Sequence, residues 1–156
     1  MSNASTTGTG TRSGTGDRTA VQKAAMAVGI VFLAVGVLGF IPGITSNYSS
    51  MGFAGHHSEA KLLGLFQVSI LHNIVHLLFG VAGLAMAKTV YGARNYLVGG
   101  GVIYLVLFLY GLVVGQNSAA NFVPLNTADD FLHLFLGLGM VGLGVALTRR
   151  RATSAI

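Results

Sequence analysis

Residues 62–87 read LLGLFQVSILHNIVHLLFGVAGLAMA: no Asp, Glu, Lys or Arg interrupts the run, yet Gln67, Ser69, His72, Asn73 and His76 lie inside it. At 1.5 Å of rise per residue, a helix of this length exceeds a hydrocarbon core about 30 Å thick. Three further uncharged apolar stretches flank it, at residues 24–44, 96–114 and 131–147. The last is the shortest and borrows flanking residues, so the spans are placed at 24–44, 62–87, 96–114 and 129–148.

Composition agrees with that reading. The chain has 156 residues, of which 8% are charged and 53% hydrophobic, with 23 glycines. Soluble chains carry about 25% charged residues, and so few charges cannot cover a water-facing surface. The sequence therefore predicts an all-α integral membrane protein, a four-helix bundle. A formal net charge of +5 would ordinarily suggest a nucleic-acid partner. Here the positive residues stand at span ends, where they set topology, and no nucleic-acid module is present.

Eight of the nine basic residues fall on one side of the expected membrane: Arg12, Arg18, Lys23, Lys88, Arg94, Arg149, Arg150 and Arg151. Lys61 alone lies on the other, beside Glu59, and the third loop holds Asp129 and Asp130 without a basic residue. The positive-inside rule then places both termini and the loop between the second and third spans in the cytoplasm, which requires an even number of spans. Residues 1–20, a Ser/Thr/Gly tract with nothing to bury, are expected to be a disordered tail. Residues 21–149 form the membrane domain, and residues 150–156 a basic cytoplasmic tail. The first apolar run exceeds a typical signal-peptide core and no A-x-A-like site follows it, so it is read as a retained helix.

Between helices in lipid, close approach depends on small residues. Gly29, Gly36, Gly39, Gly80, Gly83, Gly99 to Gly101, Gly137, Gly139, Gly142 and Gly144 offer such surfaces. The pairs Gly83-xxx-Ala87 and Gly142-xxx-Ala146 equally suit homo-oligomers. Cysteine is absent, which removes disulfides, thiolate metal sites and cysteine nucleophiles.

The polar residues of the second span carry the functional question. Ser69, His72 and His76 share one helical face, extended by Gly80 and Gly83, and this face is expected to point inward, with Gln67 and Asn73 pointing elsewhere. Counting from the first basic residue at each cytoplasmic end, His72 and His133 both lie about 24 Å deep. The same count reaches Gly39 and Tyr110, so one layer is expected to hold His72, His133, Tyr110 and a space-making glycine. Thr127-Ala-Asp-Asp130 has the form of a helix start, with Thr127 as N-cap and the aspartates near the positive end of the helix dipole. Asp129, one turn before His133, also offers a carboxylate that could orient that imidazole or share a ligand with it.

Ionisable residues inside spans are functional candidates by default, although neutral histidines also serve as interhelical glue worth about 0.6 kcal/mol. The leading expectation is a structural or interaction protein, with enzymatic activity left open but disfavoured, in which the histidine cluster fixes helix register. The contrasting one is a redox protein in which His72, His76 and His133, with Asp129, hold a transition metal, or in which His133 and one of the other two bind haem b axially. Proton-linked transport is third, weakened because no buried carboxylate continues the path below His76. His56-His57-Ser58-Glu59 and the glycosylation-like Asn47-Tyr48-Ser49 are read as ordinary outer-loop residues.

Leu71-His72-Asn73-x-x-His76-Leu77 and Asn126-Thr127-Ala128-Asp129-x-x-Leu132-His133 are the specific parts of a wider resemblance. Over residues 21–149 the chain resembles the small bacterial membrane proteins grouped as domain of unknown function 4383. That resemblance implies a four-helix membrane protein of the bacterial plasma membrane and assigns no activity, cofactor or site role.

Overall fold

The computed structural model describes residues 17–153, with side chains as far as residue 148. Most of the expected N-terminal tail and the end of the basic tail lie outside the described residues. Among the described residues the architecture is four helices and one small sheet: α1 (Ala20–Leu38), β1 (Thr45–Ser46), β2 (Lys61–Leu62), β3 (Phe66–Gln67), α2 (Ile70–Met86), α3 (Val90–Val113) and α4 (Thr127–Thr153). A short 3-10 turn, Tyr48–Ser50, follows β1.

α1, α3 and residues 127–148 of α4 are long and apolar enough to cross a membrane. α2 has 17 residues, about 26 Å of helix, and corrects the expected span at residues 62–87. Its first eight residues belong to the sheet and to the cap before the helix. Leu63 (φ 53°) and Gly64 (φ 71°) both take the left-handed conformation, which a right-handed helix does not contain. They turn β2 back on β3, antiparallel, with Leu62 opposite Phe66, while β1 pairs with the other edge of β2 through Thr45 and Leu62. Leu62 and Val68 bury themselves with Ala60 beneath this sheet, against Val35 and Leu38 of α1. An apolar count cannot tell such residues from a membrane span.

The other helix boundaries move as well. α1 ends at Leu38 and α3 begins at Val90, six residues before its expected start, while the backbone of residues 150–153 continues α4 where a tail was expected.

α1 packs along α2 and α3 along α4, with the two pairs meeting mainly through α1 and α3. Glycines set the closeness. Gly29 lies against Gly80, Gly83 and Leu84, and Gly36 against Asn73 and Leu77, so α1 and α2 run antiparallel. Gly101 and Gly137 mesh in the same way, as do Gly144 and Val98. Gly99, Gly139 and Gly142 face open space instead. The core between the pairs is Phe32, Tyr96, Leu97, Tyr104 and Met140.

Two sets of contacts tie off the ends. At one, the Gln22 side chain donates to the carbonyls of Ala87 and Lys88, both at 3.0 Å, so the start of α1 sits at the α2–α3 turn. At the other, the Gly55 N–H donates to Phe122 O at 2.7 Å and the Asn126 side chain to Leu65 O at 2.8 Å. The sheet and the α3–α4 connection thus form one cap.

Candidate functional site

Beneath that cap, two helix starts aim histidines into the interior. Ser69 is the N-cap of α2, its hydroxyl accepting from the His72 N–H at 3.1 Å. This sets His72 in the first turn and His76 in the second. α4 starts at Thr127, one residue before the expected start, because its N-cap is Asn126 and not Thr127. The Asn126 side-chain oxygen accepts from the N–H groups of Ala128 (2.8 Å) and Asp129 (3.0 Å). Asp129 reciprocates by accepting from the Asn126 N–H at 3.0 Å, a capping box displaced by one residue. The same carboxylate oxygen accepts from the Gln67 N–H at 3.0 Å, clasping β3 to α4. Asp129 is therefore engaged in holding the helix start and the sheet, and His133 follows one turn later.

The rings of His72 and His76 stack with centroids 4.5 Å apart and planes at 18°. His76 Nδ1 lies 3.0 Å from the His72 carbonyl. A carbonyl only accepts, so this nitrogen carries the proton and His76 Nε2 presents a lone pair. His133 packs on Tyr104 at 5.2 Å, Tyr104 stacks on Phe32 at 5.4 Å, and Phe32 meets His76 at 5.5 Å. The histidines of α2 and α4 are thus bridged by the aromatic rings of α1 and α3. His72 and His133 are only 8% and 3% exposed, and among the described residues neither Nδ1 has a hydrogen-bond partner.

Two cavities adjoin the cluster. One, of about 270 Å³, lies between α2 and α3 and is lined by Val75, Ile103, Leu107 and Phe122 together with His72, His76, Tyr104 and His133. The other, of about 200 Å³, lies toward α1, α4 and the sheet; it is lined by the same three histidines and Tyr104, with Asp129, Leu38 and Leu136.

The structure brings His72, His76 and His133 to common cavity walls and places Asp129 at the edge of one. It does not bring in Tyr110 or Gly39. The Tyr110 hydroxyl donates to the Ala120 carbonyl in the α3–α4 connection, and Gly39 makes room for the Asn73 side chain. Tyr104 takes the place expected of Tyr110. The depth count for the third span started at Arg94, which stands one turn inside a helix that begins at Val90, and so it overshot. Tyr104 was legible in another way: Tyr96, Gly100 and Tyr104 recur every fourth residue, giving one face of α3 two polar-tipped aromatics. Asp130 was read only as a dipole partner; it is buried against Gly111, with Oδ1 unpartnered.

Among the described residues, no group of three or more His, Asp or Glu side chains is disposed to hold a metal ion. His56 and His57 pair with each other in the cap, ring centroids 3.9 Å apart, away from the cluster. The pattern of paired histidines on α2 and Asp129-x-x-x-His133 on α4 lies within a family-model match over residues 22–146. The chain belongs to the family Domain of unknown function (DUF4383). No curated protein and no solved structure matches this DUF4383 chain. DUF4383 carries no assigned activity in its description, so the site itself has to supply the functional argument.

Proposed function

We propose that the protein is a four-crossing helical bundle of the bacterial plasma membrane, both termini cytoplasmic, that binds a small hydrogen-bonding molecule at His72, His76 and His133. The topology rests on the basic residues at the start of α1 and at the α2–α3 turn, against the nearly uncharged α3–α4 connection at the other end. The observation that carries the binding function is that His72 and His133, whose buried Nδ1 atoms have no hydrogen-bond partner among the described residues, both line two cavities. A buried polar group without a partner costs about 1–3 kcal/mol, and a ligand supplying the partner recovers it.

Interhelical glue has less support. The hydrogen bond within the cluster, from His76 to the His72 carbonyl, stays inside α2, and helix register already follows from the meshed glycines. A haem held between His76 and His133 is disfavoured because Phe32 and Tyr104 bridge those two rings.

Organic extracts of the purified full-length chain, compared by mass spectrometry with those of His133→Leu, test this reading. A small molecule retained by the wild type and lost from the variant is the expected result. Identical extracts would return the histidines to a structural role. A Soret band, or one equivalent of metal per chain, would replace the proposal with a redox centre.

A further inference from the structure

We infer that the cavity between α2 and α3 is entered from the bilayer and holds the head of a lipid-soluble quinone. The inference rests on the binding function proposed above and names the ligand class and its route. The rim is apolar and faces outward: Val75 is 46%, Ile103 50% and Phe122 58% exposed. Val75 and Ile103 belong to α2 and α3 at the depth of the buried histidines, so this flank meets lipid chains and not water. A ligand arriving here has partitioned into the membrane first, and its tail remains there.

The inner end selects the head. His72 from α2 and His133 from α4 both line this cavity, and among the described residues neither Nδ1 has a bond to fix which ring nitrogen carries the proton. Each neutral imidazole can therefore donate to a carbonyl or, as the other tautomer, accept from a hydroxyl. A molecule whose two ends alternate between carbonyl and hydroxyl suits such a pair in both of its forms, which is the chemistry of a quinone and its quinol. Among the described residues no Lys or Arg lines this cavity, so an anionic head, such as a fatty-acid carboxylate, would be buried without a permanent counter-charge. The Tyr104 ring on the wall offers an aromatic face to a flat head.

The test uses the full chain in detergent or nanodiscs, titrated with decylubiquinone, with its reduced form, and with 1-decanol as a tail lacking the carbonyl head. The readout is the thermal unfolding midpoint. Saturable shifts of several degrees with both quinone forms and none with decanol are expected. His72→Leu and His133→Leu should weaken quinone binding at least tenfold. Ile103→Trp should weaken it comparably by obstructing the rim, from a position outside the core. Equal shifts with decanol, or a quinone shift unchanged in Ile103→Trp, would overturn the inference. If no decyl compound binds while wild-type extracts still carry a molecule that His133→Leu loses, the quinone assignment fails and the broader binding function stands. Empty extracts together with absent shifts sink both.

Discussion

Gly29 and Gly80 meet so closely that a methyl group on either would press on the other's carbonyl oxygen, at 3.0 Å from position 29 and 2.8 Å from position 80. Gly101 and Gly137 repeat the arrangement between α3 and α4, at 2.8 and 2.9 Å. In each helix pair the backbones touch at one reciprocal crossing, and backbone atoms cannot swing aside as a side chain can.

Gly80→Ala and Gly101→Ala should each therefore lower stability by about 1–3 kcal/mol, the range for overpacking a tight contact. Gly142→Ala adds a methyl group to open space and should be neutral or stabilising by up to about 1 kcal/mol. Unfolding of the extracted protein in graded denaturing detergent distinguishes the two classes. Equal effects at positions 80 and 142 would mean that the crossings do not control packing.

The capping box at α4 yields a graded series. Asn126→Ala should cost about 0.5–2 kcal/mol, as N-cap truncations do. Asp129→Ala should cost more, because it strands the Gln67 and Asn126 N–H groups together. Asp129→Asn retains an acceptor and should be the mildest of the three. Limited proteolysis within the cap should follow the same order, since Asp129 holds the sheet as well as the helix.

His72 and His133 should behave in the opposite sense. Replacing a buried, unpartnered imidazole with an apolar side chain of similar size removes its desolvation penalty. Ligand-free His133→Leu and His72→Leu should therefore unfold at the same temperature as the wild type or a higher one, while losing binding. His76→Leu gives up the bond to the His72 carbonyl and should lose about 0.5–1.5 kcal/mol. A marked loss of stability in His133→Leu would point to an interhelical hydrogen bond at that nitrogen.

Topology can be read chemically, because the chain has no native cysteine. Single substitutions Ser49→Cys and Asn117→Cys should react with a membrane-impermeant maleimide in intact cells. Thr89→Cys should react only after lysis. The reverse pattern would invert the orientation.

Four helices, their antiparallel order and the burial of the three histidines were legible because each leaves a trace in the sequence: uncharged length, charge at the ends, and polar residues on one helical face. The extent of α2 was not. Leu62 and Val68 are as apolar as any lipid-facing residue but are buried under a sheet whose turn depends on the backbone angles of Leu63 and Gly64. The local signal was Ser69, a helix N-cap that reads as one more inward polar residue when the run is taken as unbroken. Tyr104 was displaced by a ruler that assumed every basic residue marks a helix end. The unpartnered state of His72 and His133 depends on where neighbouring helices stop, which no single stretch of sequence records.

The sheet that shortens α2 also bears on the membrane around it. In the proposed membrane placement α2 offers about 26 Å of helix, while Phe53, Leu63 and Leu65 of the cap turn outward. The longer α3 and α4 ask for a thicker bilayer. A bilayer around the proposed bundle would then be thinner beside α2, where the α2–α3 opening lies, than beside α4. Thin or disordered lipid should gather there, which would make that opening the easiest place for a membrane-dissolved molecule to leave the bilayer.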